Sequence, residues 1–187
     1  EEAIKYFEKA IIINPKNVSI NFNLANALLN SNKPNESLKY HIIAHNINPR
    51  DTNIIINYGK CLIKLNKLDE AINILEKATL LNNNLFEAWY NMGLVAKSQQ
   101  KFEYSLSLFN KANQIKKDDP KILNYMGLVL LKLERFEEAT KCLKNSLLLN
   151  VDAKGDVLNS ISVALINQNK HQVYADYSEA REYAQKA

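Results

Sequence analysis

Two histidines, His41 and His45, stand four residues apart, a spacing that brings two imidazoles to one face of a helix and could serve a metal ion. No third ligand lies near them in the sequence, however. The two cysteines, Cys61 and Cys142, are far apart and match no metal or redox spacing, which favours a reduced, intracellular protein. No Gly-rich phosphate loop, nucleophile elbow or His-Glu metal motif occurs. The sequence therefore predicts no enzyme, no cofactor and no metal site.

The second feature that could take part in binding is a column of asparagines. Asn recurs at a fixed interval along the chain, with one Tyr in the series. An Asn amide carries both a donor and an acceptor, so it can pair with the N–H and C=O of an extended peptide of any sequence. Asn is abundant throughout this chain, and composition alone is the alternative explanation. The column reads Asn23, Asn57, Asn91, Tyr125 and Asn159.

The same period appears in residues that would position these side chains. Three glycines are evenly spaced, at Gly59, Gly93 and Gly127. Their interval is the same as the one between neighbouring members of the asparagine column. A glycine inside a helix costs about 1 kcal/mol relative to alanine, so three at one period predict close approach of a neighbouring helix. Small residues and large apolar residues form further columns, as a tight helix interface requires. They include Ala44, Ala78, Ala112 and Ser146, and Phe7, His41, Leu75, Phe109 and Leu143.

The pattern resembles the tetratricopeptide repeat, a helix–turn–helix unit of about 34 residues with the signature W-x2-L-G-x2-Y followed by A, F, A and P. Departures are local: Ala96 replaces the Tyr, and His41 takes a Phe place. The resemblance implies an all-α fold, a right-handed α-α superhelix of antiparallel helix pairs. The best copy of the signature runs through Trp89, Met92, Gly93, Ala96, Ser105, Phe109 and Ala112.

The register divides the chain into one tetratricopeptide array over residues 1–187. Residues 1–17 would hold the second helix of a truncated repeat, so we expect the natural protein to continue before Glu1. Asp119-Pro120 predicts a helix start, with an acidic cap and a proline in the first turn. Turns inside the hairpins are predicted near Asn32-Lys33-Pro34, Asn66, Gln99-Gln100, Glu134 and Gln168-Asn169. The five full repeats would span 18–51, 52–85, 86–119, 120–153 and 154–187.

The resemblance also implies a binding site, because the first helices of such repeats line a concave wall on which peptides lie. The asparagine column falls on this wall and is similar to the asparagine ladder of other superhelical arrays in the family. Five lysines lie on the wall, and Glu87 is its one acidic residue; they are Lys60, Lys64, Lys97, Lys121 and Lys132. This excess of positive charge favours an acidic peptide as ligand, and an ordinary solvated lysine surface is the alternative. Phe22, Ile56, Tyr90 and Leu158 would form apolar pockets or pack on neighbouring helices. The predicted peptide-binding residues are Asn23, Asn57, Asn91, Asn159, Lys60, Lys64, Lys97, Lys121, Tyr90 and Tyr125.

These features predict a scaffold that binds a peptide segment of another protein. The net charge is only +4 and just three residues are Arg, which argues against a nucleic-acid partner. No apolar run approaches the roughly 20 residues that span a bilayer, so membrane insertion is not expected. The two-carboxylate clamp of chaperone-binding members is incomplete here. Two alternatives stay open: the recognition arm of a larger enzyme such as an O-linked N-acetylglucosamine transferase, and a structural subunit of a ciliary or cell-cycle assembly. The predicted location is the cytoplasm, with nucleus and cilium as alternatives.

Overall fold

The computed structural model describes residues 2–149 and 157–170, and it is helical throughout this part of the chain apart from short turns. The predicted all-α fold is therefore confirmed. The boundaries of the full repeats stay a prediction, and the fifth repeat begins and ends outside the described residues. The helices are α1 (Glu2–Ile13), α2 (Val18–Asn30), α3 (Pro34–Ile47), α4 (Thr52–Lys64), α5 (Leu68–Leu81), α6 (Phe86–Ser98), α7 (Phe102–Ile115), α8 (Pro120–Lys132), α9 (Phe136–Leu149) and α10 (157–170).

The chain forms two compact units, Glu1–Gln99 with α1 to α6 and Gln100–Ala187 with α7 to α10. In the first unit each helix packs against the next one along the chain, and α4 also contacts both α2 and α6. Alternate helices are thus neighbours, which is what side-by-side hairpins require. In the second unit α8 packs against α7 and α9. There Leu143 of α9 joins a buried cluster with Val157 and Ile161 of α10.

Side-chain caps fix where three first helices begin. Asn17 accepts a hydrogen bond from the Ile20 amide at 3.0 Å, and Asp51 accepts one from the Asn53 amide at 2.9 Å. Asp119 accepts from the Lys121 amide at 3.0 Å, with Pro120 in the first turn as predicted. Each cap satisfies an amide that has no partner inside its own helix.

The turns inside the hairpins share one backbone conformation. Asn32, Asn66, Gln100 and Glu134, which follow one another at the interval of the repeat, all have a positive φ between 57° and 59°. In three of these turns the next residue donates its N–H five residues back, to Leu28, Leu62 and Leu130, over 2.9–3.0 Å. This is the Schellman arrangement, in which a left-handed residue reverses the chain and satisfies the last carbonyls of the helix. The turns predicted in the first four hairpins are therefore confirmed. The turn predicted at Gln168-Asn169 is wrong, because α10 continues through both residues and neither Gln nor Asn prevents a helix from continuing.

The glycine column allows close packing between the two helices of a hairpin. A Cβ atom on Gly59 would lie 2.7 Å from Leu75, and one on Gly127 would lie 2.5 Å from Leu143. Both leucines are completely buried. The predicted reason for these glycines is thus confirmed: each leaves room for a large apolar side chain of the second helix.

Candidate peptide-binding groove

A polar groove of about 480 Å³ opens between α2, α4 and α6 in the first unit. Three first helices contribute to it, so the register of the repeat brings together side chains that are distant in sequence. Leu29 and Ile63 contribute apolar surface to a lining that otherwise consists of asparagine and lysine side chains. We call this site the α2–α4–α6 groove, and it is lined by Asn26, Leu29, Asn30, Asn57, Lys60, Ile63, Lys64 and Asn91.

The two central asparagines of the predicted column, Asn57 and Asn91, both line the groove. Each donates one N–H to a carbonyl of its own helix: Asn57 to Asn53 at 2.9 Å and Asn91 to Glu87 at 2.7 Å. These bonds fix the orientation of both amides. Each amide keeps an Oδ1 atom and a second N–H beyond this bond. Asn57 is half-buried, whereas Asn91 is only 8% exposed, so Asn57 offers the larger surface to a ligand.

Two of the predicted lysines line the groove, and both have protein partners. Lys60 of α4 forms an ion pair with Glu87 of α6, with 3.5 Å between Nζ and Oε2. Lys64 donates to the carbonyl of Leu29 at 3.0 Å, near the end of α2. A cation there favourably meets the negative end of the helix dipole. The wall is therefore less positive than its lysine count suggests, because Glu87 opposes the charge of Lys60.

Four groove residues were absent from the predicted set: Asn26, Leu29, Asn30 and Ile63. The repeat register could have identified them. Asn26 lies one repeat before Lys60, Asn30 lies one repeat before Lys64, and Leu29 lies one repeat before Ile63. Asn26 and Asn30 therefore share columns with the predicted lysines Lys60 and Lys64.

The other predicted residues of the first unit do not line the groove. Asn23 is exposed on α2, and Lys97 is half-buried in the last turn of α6. The Tyr90 ring stacks on Phe86 with 5.8 Å between centroids, so it packs within its own helix. Ile56, the candidate apolar pocket of α4, is buried in the core.

The second unit holds the remaining predicted residues. Lys121 is exposed in the first turn of α8, and Asn159 is exposed on α10. The half-buried Tyr125 ring stacks on the fully buried Phe109 ring, with 5.8 Å between centroids and 12° between planes. Tyr125 therefore supports the packing of α7 on α8, and this stacking leaves less of its ring surface available to a ligand.

His41 belongs to the core of the first unit, and His45 lies half-buried on the same helix. His41 is fully buried, and both of its ring nitrogens lack a hydrogen-bond partner in the described structure. Burial lowers the pKa of His41 to about 4, and burial together with Lys77 lowers the pKa of His45. Both imidazoles contact the Tyr58 ring. Among the described residues, no three His, Cys, Asp or Glu side chains come together as a metal site.

The length and hydropathy of the helices bear on whether they could cross a membrane. Within residues 2–149 and 157–170, none combines the length and the apolar character that a transmembrane span needs.

Comparison with known proteins gives two family models and a set of related folds. The model of anaphase-promoting complex, cyclosome, subunit 3 matches residues 1–78, and a tetratricopeptide repeat model matches residues 86–119. No curated protein matches the chain significantly.

Solved structures of similar fold include MamA proteins and a bacterial repeat protein. A MamA structure is 22% identical, covers 77% of this chain and 79% of its own, and has a TM-score of 0.71. MamA from Desulfovibrio magneticus RS-1 is 17% identical over 90% and 96% of the two chains, with a TM-score of 0.76. A thermophilic TPR protein of Thermus thermophilus is 19% identical over 87% and 89%, with a TM-score of 0.68. These similarities establish the fold, an all-α helical repeat array.

Proposed function

The chain belongs to the tetratricopeptide repeat family, a fold of protein–protein interaction scaffolds, and we propose that it binds an extended peptide segment of a partner protein in the α2–α4–α6 groove. The role is that of a non-catalytic binding module. The partner segment would lie across α4, with its backbone held by amides and its side chains in contact with Leu29 and Ile63.

The observation that carries this proposal is the convergence of Asn57 and Asn91 on one groove from two different first helices. Each amide is already oriented by its bond to its own helix, so little side-chain freedom is lost when a peptide binds. The remaining donor and acceptor of each amide suit the N–H and C=O of an extended backbone. A volume of about 480 Å³ is within the usual range for a ligand site and accommodates a short segment.

A peptide library displayed on phage and selected on the whole chain would provide the probe for this proposal. Affinity of a selected peptide is then measured by fluorescence anisotropy for the Asn57→Ala/Asn91→Ala double variant. We expect a loss of about tenfold or more, since two hydrogen-bonding side chains worth roughly 0.5–1.5 kcal/mol each are removed.

Asn73→Ala is the matched control, because Asn73 is on the second helix α5 and lies outside the groove lining. Circular dichroism verifies that all variants keep their helices. If the double variant binds the peptide as tightly as the parent and the control, the groove is not the peptide site.

A second candidate is a structural subunit of a large assembly, which the match of residues 1–78 to anaphase-promoting complex, cyclosome, subunit 3 favours. Apolar side chains at the ends of second helices are its candidate contacts: Ile12 and Ile13 of α1 are 81% and 85% exposed, and Leu80 of α5 is 87% exposed. Ile12→Ser and Leu80→Ser would then weaken co-purification with the assembly, while the groove variants would not.

A further inference from the structure

We infer that Glu87 competes with the bound peptide for Lys60: a carboxylate of the peptide displaces Glu87 from its ion pair with Lys60. Glu87 then determines how strongly the groove selects acidic side chains. This inference rests on the proposed peptide site and assigns it a specificity-determining residue. The ligand class is a peptide with an Asp or Glu side chain that reaches the α4–α6 side of the groove.

The lining of the groove favours an acceptor-only group. It contains two ammonium groups and four asparagine amides but no carboxylate. Lys64 is held by the Leu29 carbonyl, a backbone atom that cannot leave. Lys60 is held by the side chain of Glu87, which is 58% exposed and free to rotate into solvent. Lys60 is therefore the cation whose partner can be exchanged.

Replacing Glu87 by a ligand carboxylate at Lys60 costs little free energy. An exposed ion pair contributes about 0–1 kcal/mol, so separating Lys60 from Glu87 costs little. A ligand carboxylate replaces that pair and also accepts from the amide N–H groups of Asn57 or Asn91. Charge-assisted hydrogen bonds are about twice as strong as neutral ones. A neutral Gln on the ligand brings no opposite charge to Lys60, so it leaves the pair between Lys60 and Glu87 in place.

Glu87 also weakens the preference of the groove for acidic peptides. After displacement its carboxylate still lies near the ligand carboxylate, and like charges repel. Removing this charge should tighten the binding of acidic peptides and leave neutral ones nearly unchanged. Glu87→Gln is a mild change for the fold, because the bond from Asn91 goes to the backbone carbonyl of Glu87 rather than to its side chain.

The test uses one display-selected peptide with a Glu and its twin with Gln at that position, measured by anisotropy against the intact chain and its variants. In Glu87→Gln the Glu peptide should bind about fivefold tighter, the size of one exposed ion pair, and the Gln peptide within about twofold of the parent. In Lys60→Met the Glu peptide should lose its advantage over the Gln peptide. Glu76→Gln, the same charge change on the exposed surface of α5, should leave both affinities unchanged.

Two results would overturn the inference while leaving the groove as the peptide site. One is selection of peptides without Asp or Glu; the other is an unchanged Glu-to-Gln affinity ratio in Glu87→Gln. In both cases the loss of binding in Asn57→Ala/Asn91→Ala would persist. Failure of the peptide site itself has a different signature, since that double variant would then bind normally.

Discussion

The Tyr58 ring of α4 lies nearly parallel to the His41 imidazole of α3, with 6.4 Å between ring centroids and 16° between planes. The Phe22 ring of α2 forms a T-shaped contact with the same imidazole, with 6.4 Å between centroids and 69° between planes. His41 is thus enclosed by aromatic rings from both neighbouring first helices. It serves as an apolar ring in the column where Phe7, Leu75 and Phe109 stand in other repeats.

We predict that His41 makes the free energy of unfolding depend on pH. In the unfolded chain the His41 imidazole binds a proton below about pH 6.5. In the folded chain it does so only near pH 4, because burial lowers its pKa to about 4. Stability is therefore full above pH 6.5 and falls as the pH drops toward 4, by at most about 3 kcal/mol at 1.36 kcal/mol per pKa unit. His41→Phe should remove this loss and also raise stability at neutral pH, because two buried nitrogens without partners disappear.

Urea denaturation of both proteins at about pH 7 and about pH 4.5 measures the effect. His45→Gln is the control, since it keeps His41 and should keep most of the pH dependence. Parallel stability curves for the parent and His41→Phe would show that the imidazole is not protonated selectively in the unfolded chain.

Gly127→Ala should destabilise the second unit, although alanine is the better helix former. The new Cβ would lie 2.5 Å from Cγ of the fully buried Leu143, which has no room to retreat. Overpacking costs about 1–3 kcal/mol and exceeds the helix-propensity gain of about 1 kcal/mol. Thermal denaturation by circular dichroism gives the sign. In Gly127→Ala/Leu143→Ala the clash is absent, so the glycine change should no longer destabilise; a stabilised single variant would contradict the packing argument.

Glu134→Gly should stabilise the turn between α8 and α9. Glu134 is exposed and has φ of 59°, a conformation that glycine adopts freely and other L-residues adopt at a cost of about 1–2 kcal/mol. After the entropy lost by glycine, we expect a gain of about 0.5–1 kcal/mol in urea denaturation. Lys141→Gly, at an exposed position inside α9, should instead lose about 1 kcal/mol. A loss in both variants would contradict the turn argument.

The fold could be predicted because its determinants are local in sequence and repeat. The column of Gly59 and Gly127 reports close helix contact, and Asp119-Pro120 reports a helix start. Each signal is weak alone, but their shared period makes them support one another. That is why the helix pairs and the turns at Asn66 and Glu134 were predictable without coordinates.

The groove was predictable only in outline, because its chemistry depends on side-chain direction. The register places Asn57 and Lys64 on the inner wall, and both line the groove. It does not reveal that the Asn57 amide returns to its own helix, or that Lys64 reaches back to the Leu29 carbonyl of the preceding repeat. Long flexible side chains choose among several partners of similar energy, and sequence spacing does not rank them.

The contacts between helices in the first unit join elements that are next or next but one along the chain. Nothing in that arrangement requires distant parts of the polypeptide to find each other before the rest has formed. Chains with such low contact order reach the native state in about microseconds to milliseconds. A newly made first unit can therefore assemble hairpin by hairpin as it leaves the ribosome, each finished pair offering a template surface to the one that follows.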